Sequence, residues 1–430
     1  MQILLIALDG LGDRPVSRGK TPLQLARKPN LDRLAREGIS GISYPIAPGI
    51  VPGSDTGYLS LFGYDPYRFY VGRGILEALG SGAKVYEGDI AFRCNFATID
   101  GKMNVTDRRA GRIDGKDADE LAKAIAKVVV KDKEGKEITF LFEHVHGHRG
   151  VLLIRGSGLS PMVSDTDMHA AGPASWAKPI DPAEDAQRTA DALNEWIRKT
   201  HDILKSHPTN KARKKKGIPE ANFMITRGAS MLTEGVPRKG ASYSGIYGWA
   251  VSVRPFRERY RMDATCVASG FLYKGVARYV GMDVISIDRK VGALHADLDE
   301  KVKAALGALR KGSDFVFLHF KGTDVAGHDG DWKAKVRFIE KADKAIAPAL
   351  KLKDTIVVVT SDHSTPCALK AHSADPVPIM IHGPAGTIRP DHIGKFDEVS
   401  ASHGGLGTLR HADVMPILLG ILGKAKMYGT

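Results

Sequence analysis

Apolar residues fill 2–8 almost without a break, and the run stops at Asp9-Gly10. A short run with no polar alternation predicts a strand buried on both faces. Thr21-Pro22 then offers an N-cap followed by a first-turn proline, which predicts a helix start. A second helix begins near Pro29. It carries Leu31, Leu34 and Ala35 on one face and stops at Gly38. The carboxyl-terminal part repeats this logic. Segments 283–287, 315–320, 355–360 and 378–381 have strand character. Between them, 333–350 places Val336, Ile339, Ala342, Ile346 and Leu350 at helical spacing. Segment 412–422 reads as a closing helix with Pro416 near its first turn. Strands alternating with helices predict an α/β fold, a mostly parallel sheet with helices on both faces.

The middle of the chain departs from this pattern. From 85 to 265 charges are denser, isolated strand-like pieces appear at 90–98, 139–144 and 150–155, and a long helix is expected near 184–204. This predicts an inserted α+β cap domain, with a discontinuous core made of 1–84 and 266–430. A chain of 430 residues is long enough for two or three domains.

Composition narrows the function classes. Hydrophobic residues are 43 % and charged residues 26 %, which excludes a disordered, collagen-like or coiled-coil chain. No apolar run approaches the ~20 residues of a membrane span, and the amino terminus lacks the basic start of a signal peptide. Cys94, Cys266 and Cys367 form no CxxC pair. A reduced, cytoplasmic compartment is therefore expected. The formal net charge of +13 attracts nucleic acids, anionic surfaces and acidic small molecules alike. Its densest run, KARKKK at 211–216, is expected to be a solvated basic loop. A nucleic-acid binder would interleave such a run with base-stacking aromatics. Aromatics are 7 % of the chain and absent from the run, so neither a nucleic acid nor a membrane is expected as partner.

Acidic and imidazole side chains gather after the predicted strands, where open α/β sheets bind ligands. They are Asp9 in LLIALDG, Asp324 and His328 in HFKGTDVAGHDG, Asp362-His363 in VVVTSDHS, and His372 in KAHSADPVP. Ser54, in PGSDTGYLSLFGYDP, sits in a glycine-flanked turn before a helix-like run, where an anion is favoured. A lone aspartate after a strand is usually a helix cap, and a lone histidine in a glycine-rich loop is usually no ligand. The pairs carry more. Asp324 and His328, four apart, face one ion if their segment is a helical turn, and adjacent Asp-His is a recurrent metal-ligand pair.

The segments DGLGDRP (9–15), TPLQLARKPNLDRLAREG (21–38), PGSDTGYLSLFGYDP (52–66), GTDVAGHDG (322–330), SDHSTPC (361–367) and HSADPVP (372–378) resemble the alkaline phosphatase superfamily. More narrowly, the chain resembles the archaeal-type cofactor-independent phosphoglycerate mutases. The likeness runs in order through GRGILEA, GDIAFRCNFATID, DRRAGRI, HRGVLLIRG and HPTNKARKKKGIPEAN. The resemblance implies an alkaline-phosphatase-like core and a two-metal site. Asp9, Ser54, Asp362 and His363 would hold one ion, and Asp324, His328 and His372 the other, with His403 and His411 as alternatives to His372. Such donors suit Mn²⁺ or Zn²⁺, with Co²⁺ or Mg²⁺ also compatible. The implied reaction passes the phosphoryl group of 2-phosphoglycerate to Ser54 and back to the other hydroxyl, giving 3-phosphoglycerate without 2,3-bisphosphoglycerate. The partner is then a small phosphorylated carboxylic acid. Arg93, Arg108, Arg109, Arg112, Arg149 and Arg227 in the insert are expected to bind its anionic groups. Asp167 and His169 are expected to meet its hydroxyls, and Lys274 the transferring phosphoryl group. The alternative on the same core is a phosphotransferase or phosphatase for another small substrate, for example one resembling homoserine kinases.

Overall fold

The computed structural model describes residues 1–232, 253–287, 294 and 298–427. The chain forms two compact units, Met1–Arg68 with Arg254–Thr430, and Phe69–Val253. These divisions fall before both boundaries expected from the sequence, 84/85 and 265/266. Helix Arg73–Ser81 packs on strands Ile90–Ile99 and Phe223–Met231 of the second unit. The approach is close: a Cβ on Gly74 would lie 2.2 Å from the carbonyl oxygen of Ala91. Phe256, in helix Phe256–Tyr260, packs its ring 4.9 Å from that of Phe315 in the first unit.

The first unit holds an eight-stranded sheet. Its order is Asp283–Ser286, Ala264–Ala268, Phe315–Phe320, Gln2–Leu8, Thr355–Thr360, Val377–His382, Ile39–Tyr44, Gly407–Arg410. Val377–His382 runs antiparallel to both neighbours, and the other adjacent pairs are parallel. Gln2–Leu8 lies inside the sheet with its residues after Gln2 buried, as its unbroken apolar run predicts. Leu4, Ile6, Val316, Leu318, Val357 and Val359 pack with residues of helices Leu298–Arg310 and Trp332–Ala345. On the opposite face, Tyr58 and Phe62 of helix Ser54–Leu61 and its C-cap lie against Phe317, with centroids 5.0 and 4.9 Å away. Thr21 caps helix Pro22–Leu25 in a reciprocal capping box with Gln24. The closing helix begins at His411, so Pro416 lies in its second turn rather than its first.

The second unit is an antiparallel sheet ordered Lys127–Lys131, Glu137–His146, Arg149–Arg155, Ile90–Ile99, Asn104–Asp107, Gly172–Pro173, with Phe223–Met231 also paired to Ile90–Ile99. Helix Glu184–Ser206 packs against it, and Trp196 stacks on Phe140 at 5.7 Å. The basic run forms helix Pro208–Lys215, not the expected loop. Pro208 starts it, and buried Arg213 turns inward to Asp117, the Pro219 carbonyl and the Ala110 carbonyl. Lys211, Lys214, Lys215 and Lys216 remain exposed. Residues 233–252, part of the expected insert, lie outside the described residues. Among the described residues, no helix is long and apolar enough to cross a membrane.

Candidate active site

Alternation along neighbouring parallel strands assembles the first part of the site. Ala7 is in register with His319, so two residues on, Asp9 and Lys321 leave the sheet on the same face. The His319 Nε2 proton is donated to Asp9 Oδ2 at 2.9 Å. Burial pushes the His319 pKa down against the opposing pull of Asp9, which keeps the ring neutral. Lys321 Nζ lies 3.2 Å from Asp9 Oδ1 and 2.6 Å from Asp324 Oδ2. Burial works against its charge, but Asp9, Tyr273 and Asp324 hold its pKa well above the usual lysine range.

Strand Thr355–Thr360 delivers the second part. Past its end, Asp362 Oδ1 accepts the Gly10 amide at 3.1 Å. His363 Nε2 lies 3.0 Å from Ser54 Oγ, 3.2 Å from Asp362 Oδ2 and 3.6 Å from Asp9 Oδ1. All four residues are buried. Ser54 opens its helix, which comes close enough that a Cβ on Gly57 would meet the Asp362 carbonyl oxygen at 2.4 Å. Burial opposes ionisation of Asp362, yet His363 holds its pKa at about 2. Burial likewise disfavours the His363 cation, and Asp362 and Asp9 raise its pKa regardless.

The third part is helix Gly322–Asp329. One helical turn brings Asp324 and His328 together, with Nε2 3.3 Å from Oδ1. His372 Nε2 lies 3.5 Å from the same oxygen. His372 does not follow a strand, as expected from the sequence, but precedes Val377–His382. That strand is antiparallel, so its amino end meets the carboxyl ends of its parallel neighbour. The His372 ring stacks on His363 with centroids 3.6 Å apart.

His411 and His403, the alternatives to His372, do not join this group. His411 is bonded through both nitrogens, to Ser43 Oγ and the Ser361 carbonyl, each at 2.7 Å. Burial pushes its pKa down to about 4. His403 is exposed and bonded to the Val399 carbonyl.

The donor set fits divalent cations. Asp324, His328 and His372 present ligand atoms within 4.8 Å of one another, and so do Asp9, Asp324 and His363. Among the described residues, Asp362 Oδ2 is buried without a hydrogen-bond partner. The Nδ1 atoms of His328 and His372 meet the carbonyls of Lys370 and Pro52 at 3.0 and 2.9 Å. Carbonyls only accept, so each Nδ1 carries its proton and each Nε2 faces the carboxylates.

Other candidates occupy separate surroundings. Buried Lys274 donates to Ser286 Oγ at 3.0 Å and lies over the Phe271 ring, while its neighbour Tyr273 stacks on His319 at 3.7 Å. In the second unit, Arg108 grips Asp167 through two bonds of 2.6 and 2.8 Å and reaches His169 Nδ1 at 3.1 Å. Arg93 and Arg227 sit opposite each other across a strand pair. Glu77 Oε1 lies 2.9 Å from Arg93 Nε and 3.1 Å from Arg73 Nε. Burial lowers the Arg93 pKa to about 10 despite Glu77, with Arg73, Arg227 and Arg149 adding repulsion. Arg149 starts its strand opposite Asn95, and Arg109 and Arg112 are exposed on a turn whose amides at 109 and 111 bond Asp107. Sequence reasoning missed His319, Lys321, Thr365, Arg73 and Glu77. His319 and Lys321 carried a legible signal, since they share the alternation that points Phe317 inward.

A model of the 2,3-bisphosphoglycerate-independent phosphoglycerate mutase family matches residues 35–210, and an alkaline phosphatase family model matches 283–391. The 2,3-bisphosphoglycerate-independent phosphoglycerate mutase of Methanoculleus marisnigri is 45 % identical, over 100 % of this chain and 99 % of its own. The chain belongs to that family. A mutase of the same description from Archaeoglobus fulgidus is 44 % identical over 100 % of both chains. Among solved structures, a Pyrococcus horikoshii protein aligns with a TM-score of 0.81 at 36 % identity, covering 100 % of this chain and 99 % of the other. The cofactor-independent phosphoglycerate mutase of Thermoplasma acidophilum aligns with a TM-score of 0.69 at 35 % identity, covering 98 % and 99 %. The likeness to the Methanoculleus marisnigri and Archaeoglobus fulgidus mutases extends over the residues of both units, and the α/β core is alkaline-phosphatase-like.

Proposed function

We propose that the protein interconverts 2-phosphoglycerate and 3-phosphoglycerate through Ser54, without 2,3-bisphosphoglycerate. The observation that carries this reading is Ser54 Oγ at 3.0 Å from His363 Nε2, inside a buried cluster that also contains Asp9 and Asp362. A serine hydroxyl is a poor nucleophile near neutral pH, and this one sits where its alkoxide would be stabilised. Asp9, Ser54, Asp362 and His363 would hold one divalent ion, and Asp324, His328 and His372 a second. Mn²⁺ or Zn²⁺ suits these donors best, with Co²⁺ or Mg²⁺ compatible. Such ions favour the serine alkoxide and neutralise charge on the phosphoryl oxygens. The Ser54 Oγ–phosphorus bond forms as the bond between phosphorus and the C2 oxygen breaks, and the proton given up by Ser54 ends on that oxygen. The C3 hydroxyl then attacks the phosphorus, the Oγ–phosphorus bond breaks, and the proton of that hydroxyl restores Ser54.

The arginines of the second unit supply the remaining chemistry. Arg93, Arg108, Arg109, Arg112, Arg149 and Arg227 bind carboxylate and phosphate, for which a guanidinium fork is suited. Asp167 and His169, ordered by Arg108, meet the glycerate hydroxyls, and Lys274 offsets phosphoryl charge. The names of the relatives favour the mutase over the homoserine-kinase-like alternative. The test is an enolase-coupled assay on chelator-stripped protein supplied with 3-phosphoglycerate. Restoration of 2-phosphoglycerate production by Mn²⁺, Zn²⁺, Co²⁺ or Mg²⁺ is expected. Inactivity of folded, metal-loaded protein refutes the reading.

A further inference from the structure

Thr365 is fully buried between the two ligand sets assigned above, and its hydroxyl touches both. Oγ1 donates to Asp324 Oδ1 at 2.9 Å and lies 3.0 Å from His363 Nδ1. The carboxylate can only accept, so it takes the single hydroxyl proton. The lone pairs that remain can only accept a proton from His363 Nδ1. In the neutral ring this leaves the bare lone pair on Nε2, aimed at Ser54, Asp362 and Asp9. His328 and His372 reach the same tautomer through backbone carbonyls, and in His363 a side chain performs that task.

The residue is held where this geometry demands. Its amide donates to the Gly12 carbonyl at 3.1 Å, and its own carbonyl accepts buried Lys335 Nζ at 3.0 Å. Two glycines close around it. A Cβ on Gly10 would lie 2.5 Å from Thr365 Oγ1, and one on Gly327 would lie 2.4 Å from its carbonyl oxygen. The hydroxyl therefore has little freedom to turn away.

We propose that Thr365 is a positioning residue that couples the two ion sites, one hydroxyl orienting the Asp324 carboxylate of one and the His363 ring of the other. This inference rests on the metal reading given under the proposed function. It predicts that the sites are not independent: loosening Thr365 weakens both.

The test compares the full-length wild type with Thr365→Val, which keeps the shape and deletes the hydroxyl, and Thr365→Ser, which keeps the hydroxyl. Metal-free protein is titrated with Mn²⁺ by calorimetry, and bound ions are counted by elemental analysis. Loss of an outer-shell partner typically weakens metal binding by about 10–100-fold. That loss is expected at both sites in Thr365→Val, with wild-type binding kept by Thr365→Ser. A merely structural role would lower thermal stability and leave the affinity of the folded protein unmoved. Wild-type stoichiometry and affinity in folded Thr365→Val overturn the inference alone. A wild type that binds no divalent ion overturns the metal reading and this inference with it. Nitrogen NMR of the Zn²⁺-loaded wild type needs no variant: a slowly exchanging proton on His363 Nδ1 supports the inference, and a proton on Nε2 overturns it.

Discussion

Lys335 offers the sharpest test of how the site is held together. Its side chain has no solvent exposure. Nζ lies 2.8 Å from Asp13 Oδ2, 3.2 Å from the Gly12 carbonyl and 3.0 Å from the Thr365 carbonyl. Asp13 in turn accepts the Cys367 amide at 3.1 Å. One buried ammonium thus ties the loop after the first strand to the loop after Thr355–Thr360. Lys335→Met keeps the length of the stem and leaves Asp13 charged in the interior. Removing one partner of a buried pair costs about 3–5 kcal/mol, and the stranded carbonyls place the expectation near ~4 kcal/mol. At about 2–4 °C per kcal/mol for a unit of this size class, Tm falls by roughly 8–16 °C. The double variant Lys335→Met with Asp13→Leu removes both charges and is expected to regain about half of the loss or more. Metal-free wild type, both single variants and the double variant are compared by urea denaturation and calorimetry. A single-variant cost below about 1 kcal/mol, or strict additivity in the cycle, refutes the reasoning.

Ser54→Ala is expected to abolish mutase activity in the coupled assay while metal titration still shows two bound ions; substantial residual turnover would remove Ser54 from the proposed chemistry. Arg108→Ala breaks the two-bond grip on Asp167 and frees His169, and is expected to raise KM for phosphoglycerate roughly tenfold or more with the fold retained; an unchanged KM refutes the substrate-binding assignment. Burial raises the Glu398 pKa from 4.5 to about 7, against hydrogen bonds from Thr21 and Asp13. The folded state then holds this proton more tightly than the unfolded chain, so the associated stability is complete below pH 4.5 and is lost as pH rises through about 7. Thermal unfolding at pH 5 and pH 8 should show Glu398→Gln losing less stability than wild type over that interval, and parallel pH profiles refute the sign.

Much of the first unit was legible because its central strands Gln2–Leu8, Phe315–Phe320 and Thr355–Thr360 are buried on both faces. Such strands read as unbroken apolar runs, and the acidic residues past their ends, Asp9 and Asp362, mark the edge where the candidate ligands gather. Asp324 and His328 were legible through their place after a strand and their helical spacing. His372 was harder. Its placement depends on an antiparallel strand that brings its amino end to the carboxyl end of its neighbour, and strand direction is not written in an apolar segment. Thr365 and Lys335 were invisible for another reason. Threonine after an Asp-His pair and lysine in an amphipathic helix are both ordinary surface residues until tertiary packing buries them. The basic helix at 208–215 shows the converse: composition suggested a loop, while Pro208 and inward-facing Arg213 make a helix with one exposed charged face.

Two buried ionic clusters in the first unit differ in a way that bears on function. Lys335 and Asp13 are matched within the chain: the ammonium has three oxygen partners and the carboxylate has amide donors besides. The second cluster brings Asp9, Asp324 and Asp362 together with Lys321, and among the described residues the oxygen Asp362 Oδ2 has no hydrogen bond. Desolvating carboxylates without matched positive charge is costly. The carboxylates raise the pKa values of His328 and His363, as expected where negative charge gathers around imidazoles. A divalent ion would need the Nε2 lone pairs, so any imidazolium present must lose its Nε2 proton on binding. Metal binding is therefore expected to release protons, and to release fewer as pH rises above the histidine pKa values. Calorimetric titration with Mn²⁺ in buffers of different ionisation enthalpy measures that release. Binding without proton release at a pH below those pKa values would refute the imidazoles as ligands.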